Sequence, residues 1–167
     1  MKEVRYRGGL ITFSIPDHWQ EQYEPDGGGT FFDAASESIT LRVNVVTVEA
    51  PSGIAAGELA PTAVGASSIP PSAVVERLAS GNAIARYSMA TEEAGNRLRI
   101  DYWHVAAPVP PNKAHVAIFS LTMLESEQDT SACRDLRELL DNEISAARLS
   151  DRGGASAGTK HKWWPFK

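Results

Sequence analysis

The chain has 167 residues, 43% of them hydrophobic and 22% charged, and a net charge of −5, which is the composition of a globular protein with one real core. No apolar run approaches the ~20 residues of a membrane helix, and the lone Cys133 excludes an internal disulfide. Charge is uneven, with a net +3 over residues 150–167 and −8 over the rest, and an acidic body argues against nucleic acid as a partner.

The N-terminal MKEVRYRGGLITFSIPDHW begins basic but holds no long apolar segment, so no signal peptide and a cytoplasmic product are expected. Strands are predicted at Leu10–Ile15, ending at Pro16, and at Thr30–Ala34, after a turn at Gly27-Gly28-Gly29. The clearest strand is Ser38–Glu49. There Ile39, Leu41, Val43 and Val45 alternate with Thr40, Arg42 and Asn44. Residues 50–72 are rich in Ala, Gly, Pro and Ser. They suggest a crossover with a short helix around Gly53–Ala60, which Pro61 ends or kinks. Strands resume at Ala73–Ala79, Ala83–Thr91, Arg97–Ala106 and Lys113–Leu124, joined by short turns that imply antiparallel hairpins.

The last element reads as a long helix over Asp129–Leu149, with an apolar stripe of Ala132, Leu136, Leu139, Leu140, Ile144 and Ala147. Arg134, Asp135, Arg137, Glu138, Asp141 and Glu143 form its wet face. The fold class is therefore α+β, an antiparallel meander flanked by helices, with the long C-terminal helix packed on the sheet. One domain is expected over residues 1–149. Residues 150–167 are a Gly/Ala/Ser-rich linker and a tail, KHKWWPFK, whose Trp163, Trp164 and Phe166 stand among lysines. That tail reads as a docking peptide for its own chain, a second copy or a partner, ahead of a loose end. Membrane contact ranks last, because anchoring usually takes two signals.

A strand ending in I-P-x-x-W (Ile15, Pro16, Trp19), a long strand, a crossover, a meander carrying Tyr102-Trp103-His104 and a terminal helix follow one another over residues 4–149. This order resembles the PsbP/DcrB/Mog-like superfamily. The resemblance implies an antiparallel sheet with flanking helices and mostly non-enzymatic roles. Its members include photosystem accessory proteins, a Ran-GTPase binder, exported lipoproteins and chaperones of secretion effectors. Without a signal sequence, the chain is more similar to the cytoplasmic bacterial branch.

Catalytic patterns are weak. No P-loop occurs, and Cys133 reads as a half-buried helix residue. Centring the last hairpin on Pro108–Pro111 pairs Leu98 with Leu121, Ile100 with Phe119, Tyr102 with Ala117 and His104 with His115. That histidine pair lacks the third ligand a catalytic zinc site needs, so no metal or cofactor is assigned. In this register Arg99, Asp101 and Trp103 share a face with Val116, Ile118, Ser120 and Thr122. By strand parity Arg42, Asn44 and Arg86 join them. Such a mixed face is either half-solvated or a recognition surface, since Trp and Arg anchor interfaces. The sequence thus points to a non-catalytic protein-binding domain, an adaptor or a secretion-effector chaperone, with a homodimer as one option for the partner. The rival is a small-molecule or lipid binder with a pocket between helix and sheet.

Overall fold

Alternation of Leu41, Val43 and Val45 with Thr40, Arg42 and Asn44 makes β5 (Thr40–Glu49), the strand around which the sheet is ordered. The computed structural model describes residues 1–150 except 26, 37, 51 and 52. The linker from residue 151 and the tail with Trp163, Trp164 and Phe166 lie outside the described residues. The other strands of the large sheet are β3 (Gln20–Tyr23), β4 (Gly29–Phe32), β6 (Val74–Arg77), β7 (Ala83–Glu93), β8 (Asn96–Val109) and β9 (Lys113–Leu124). Seven strands lie in the order β3-β4-β5-β9-β8-β7-β6, and every pair is antiparallel.

A second sheet escapes the strand patterns above. β1 (Lys2–Tyr6) and β10 (Arg148–Leu149) flank β2 (Ile11–Ile15). Val4, Tyr6, Ile11, Phe13 and Ile15 are buried against the large sheet, and Phe13 meets Phe31 and Phe119 edge-on at 5.4 and 5.0 Å. Edge-on aromatic pairs of this kind contribute beyond their buried area. β3 was also not expected; its side chains are all exposed, so no alternation marks it.

Helix α2 (Ser131–Ser145) is shorter than the sequence suggests. Thr130 is its N-cap and accepts a hydrogen bond from the Cys133 amide at 3.3 Å, satisfying one of the donors left free at a helix start. The helix stops at Ser145 because Arg148 and Leu149 pair with Thr12 and Ile11, and the Ser150 amide donates to the Leu10 carbonyl. Its buried stripe is Cys133, Leu140, Ile144 and, beyond the helix, Ala147, with Leu136 partly buried. Ala132 is exposed and Leu139 borders solvent. The expected stripe was one position off at its first turn.

Helix α1 (Leu59–Gly65) begins at the end of the predicted Gly53–Ala60 and runs on through Pro61. Proline is tolerated there, because an amide in the first turn has no intrahelical acceptor to lose. Leu59, Ala60, Ala63 and Val64 are buried. Ala60, Ala63 and Val64 join Ala83, Ala85, Ala106 and Val116 in a small alanine-rich core on one end of the sheet's second face.

The glycine turn is held in place. The Gly28 amide donates to Tyr6 Oη at 2.7 Å, and Gly29 belongs to β4 opposite Val43. A Cβ at Gly29 would press on the Phe31 ring and Val43 at 3.0–3.1 Å, so the pairing of β4 with β5 needs the bare backbone here.

Candidate functional site

β8 does not stop before its prolines. It runs on through Pro108 to Val109, which pairs with Lys113. Pro108 is accommodated because β7 begins opposite Ala106, so this end of β8 has no strand on that side and no ladder bond is lost. The turn therefore centres on Pro111, and each β9 residue meets a β8 partner three positions later than expected. Trp103 faces Phe119, Asp101 faces Leu121 and His104 faces Ile118. An odd shift exchanges faces. The predicted common face thus divides in two. Arg86, Arg99, Asp101 and Trp103 lie on the α2 side, whereas Arg42 and Asn44 lie on the other.

On the α2 side the side chains hold one another. Asp141 of α2 accepts from Arg86 Nε at 2.6 Å and from Trp103 Nε1 at 2.7 Å. Arg86 also donates to Glu76 and to Ser145 Oγ. Asp101, 5% exposed, accepts from Arg99 Nε at 2.9 Å and from Ser88 Oγ at 2.5 Å. Arg137 Nε stands 2.8 Å from the second Asp101 oxygen, which receives no hydrogen bond of good geometry, so that contact is ionic. Arg137 and Asp141, expected on the wet side of the helix, are instead its polar grip on the sheet. The shallow cleft beside them, about 500 Å³, is lined largely by groups already engaged with one another, and Trp103 is 4% exposed. This cluster fastens a helix and leaves little of Trp103 or Asp101 for a partner.

The opposite face is covered by α1 at one end only. Reading across the strands, one row beyond α1 runs Gln22, Thr30, Arg42, Ser120, Tyr102 and Tyr87. The next runs Gln20, Phe32, Thr40, Thr122, Ile100 and Met89. Arg42 is the single charged residue in these two rows. It is exposed, and among the described residues it makes no ion pair. Asn44, in the row nearer α1, accepts from the Val45 amide. Tyr87 and Tyr102 stack with centroids 4.8 Å apart, and burial, followed by the charge of Tyr102, pushes the Tyr87 phenol up to about 12. Tyr102, Ile100, Ser120 and Thr122 were assigned to other surroundings by the shifted register; the parity was legible, but the turn centre was not.

Where α1 meets this face, buried Ser67 and His104 and half-buried Tyr87 form a chain. Ser67 Oγ is 2.6 Å from the Val64 carbonyl, to which it donates, and 2.7 Å from His104 Nδ1. A hydroxyl has one proton, so Nδ1 carries its own and donates to Ser67, while Nε2 accepts from Tyr87 Oη at 3.1 Å. This is the reverse of the wiring that activates a serine. Burial lowers the His104 pKa to about 4. His115 lies on the other face of the sheet, opposite Ala107, with Nδ1 3.0 Å from Thr47 Oγ1. The two histidines therefore cannot share a metal, and among the described residues no three His, Cys, Asp or Glu side chains gather as a metal site.

No family model matches the chain, and no curated protein matches it. Solved structures do. The yeast Ran-binding protein Mog1p, from Saccharomyces cerevisiae, superposes with a TM-score of 0.54 at 12% identity over 89% of this chain and 94% of that one. This chain shares its fold with Mog1p. A Bacteroides thetaiotaomicron protein matches at TM-score 0.62 and 16% identity, over 92% of this chain but only 50% of the other; the chain thus spans half of that protein's length. LpqN of Mycobacterium tuberculosis, involved in cell envelope biogenesis, matches at TM-score 0.49 and 15% identity over 79% of this chain and 80% of that one. At these identities the likeness to Mog1p is one of fold, and it does not reach the cytoplasmic bacterial branch. No described helix is long and apolar enough to cross a membrane.

Proposed function

We propose that the chain is a non-catalytic protein-binding domain that works through the sheet face opposite α2. The observation that carries this reading is the open pair of rows around Arg42. An exposed guanidinium without an ion-pair partner among the described residues sits among half-buried Tyr102, Ile100, Ser120 and Thr122, the mixture of aromatic, aliphatic and Arg side chains that interfaces favour. A shared fold with a Ran-binding protein supports it by analogy. An adaptor, or a chaperone of secreted effectors, is the role that the superfamily resemblance implies, and a cytoplasmic setting goes with it.

Affinity capture followed by mass spectrometry tests the reading. The wild-type chain is expected to retain a specific partner, and Arg42→Glu to lower its recovery by about tenfold or more, as loss of a central interface arginine does. Glu76→Ala, on the α2 side, is expected to leave recovery unchanged. Equal capture by all three proteins would remove this face from the function. A ligand mass retained by the purified chain in native mass spectrometry would favour the small-molecule rival instead.

A further inference from the structure

β6 covers the outer edge of β7 only from Ala83 to Arg86. β7 continues to Glu93, paired on its inner side with β8 throughout. The outer edge from Tyr87 to Glu93 therefore has no strand beside it among the described residues. Residues from Ser88 onward are exposed, and Met89 is 53% exposed. Native sheets normally blunt such an edge with lysine, proline or a bulge. Tyr87–Thr91 has none of these; its ladder with β8 is uninterrupted, and charge appears only at Glu92 and Glu93.

We propose that this edge pairs with the same edge of a second copy, antiparallel about a two-fold axis at Ala90, so that one sheet continues through both molecules. Three observations fix the occupant and the register. An axis perpendicular to the sheet keeps α2 of both copies on one side, so facing residues must share parity. Ala90 is the midpoint of the free edge. One same-parity step toward β6 would set Glu92 of the second copy opposite Arg86, a place that Val74 already holds. One step the other way leaves Tyr87 unpaired.

Charge agrees with the same register. Ser88 then faces Glu92 of the second copy. Arg99 Nη2 donates to Ser88 Oγ at 3.0 Å, so a guanidinium already lies over that position, with Arg86 next along the face. The incoming carboxylate meets it, and the two-fold axis makes the contact twice. On the open face Met89 meets Thr91 of the second copy, with Leu98 next in that row and Ile100 next in its own. The most exposed apolar residue of the strand is thereby covered by Thr91 of the second copy, with Ile100 of its own chain on the other side.

A single strand pair is small beside the ~1,600 Å² of a standard interface, so the dimer forms with rising concentration. Sedimentation equilibrium of the full chain, from low micromolar to near millimolar, should show the mass climbing toward twice the monomer. Met89→Lys should hold it at the monomer. Ala90 is its own partner across the axis, so Ala90→Cys should yield a disulfide-linked dimer under mild oxidation. Glu93→Cys, whose partner is Tyr87, should not. All three positions are exposed, and circular dichroism should show the wild-type fold in each variant. A wild-type chain that stays monomeric throughout overturns the proposal. So does a dimer that survives Met89→Lys, or cross-linking at Glu93→Cys equal to that at Ala90→Cys.

Discussion

Asp141 stands on α2 between Arg86 and Trp103, about a third exposed, and it shows how much one side chain can decide. Asp141→Ala would leave the indole N–H and one guanidinium donor without their acceptor. With partial solvent access the expected cost is about 1–2 kcal/mol, read as a lower urea midpoint. Glu76, the other carboxylate on Arg86, is 59% exposed, and Glu76→Ala should change stability by less than about 0.5 kcal/mol. His104 makes a second residue-scale prediction. Burial lowers its folded pKa to about 4, whereas the unfolded chain titrates near the ordinary value of about 6.5. Below that pH the unfolded state binds the extra proton, so stability is full above about 6.5 and declines as pH falls toward 4. The loss attributable to His104 is on the order of 3 kcal/mol. His115 is lowered by burial too and adds in the same direction. Urea titrations at pH 7, 5.5 and 4.5, taken as examples across that window, should show a shallower slope for His104→Gln than for wild type. Equal slopes would mean that the ring is not shielded as described.

At the scale of elements, the parity of a strand is easier to read than its register. Arg42 and Asn44 were placed correctly against their own strand, because alternation along β5 is a local property. Partners on neighbouring strands depend on where the turn sits. Pro108 looked like a stop, yet it lies in a strand end that β7 does not reach. One misplaced turn sent Arg99, Asp101 and Trp103 to the wrong set of neighbours. The short strands were hidden for different reasons: β3 has no buried side, and β10 is two residues long. Helix α2 was legible in outline, since Leu136, Leu140 and Ile144 recur at helical spacing. Only the structure separates Leu140, fully buried, from its neighbour Leu139 at 36% exposure. Leu140→Ala is expected to cost about 3 kcal/mol, and Leu140→Asp more, because it sets a charge in the core. Leu139→Ala should stay within about 0.5 kcal/mol. Similar thermal midpoints for the two alanine variants would contradict the docking of the helix.

For the whole molecule, the sheet is the rigid part and its corners are soft. β9 and β8 are paired on both sides over most of their length, and β5 over Thr40–Val43, whereas the tip around Ala94 and Gly95 is exposed. Amide exchange should therefore be slowest in Leu41–Val43 and Ala117–Leu121, approaching the rate set by global unfolding, and fastest at the tip. Comparable protection at the two places would refute this ranking. The small sheet has a consequence of another kind. β1 and β2 are made before the large sheet, yet β10, the strand that closes their own sheet, follows every strand of it. Until it emerges, Ile11, Phe13 and Ile15 lack both the helix and the strand that complete their cover. Contacts this distant in sequence form late, so each newly made chain passes through a stage with a greasy N-terminal hairpin in water. Chains released after Ala147 should accordingly collect in the insoluble fraction of a cell-free synthesis, while chains released after Ser150 should not.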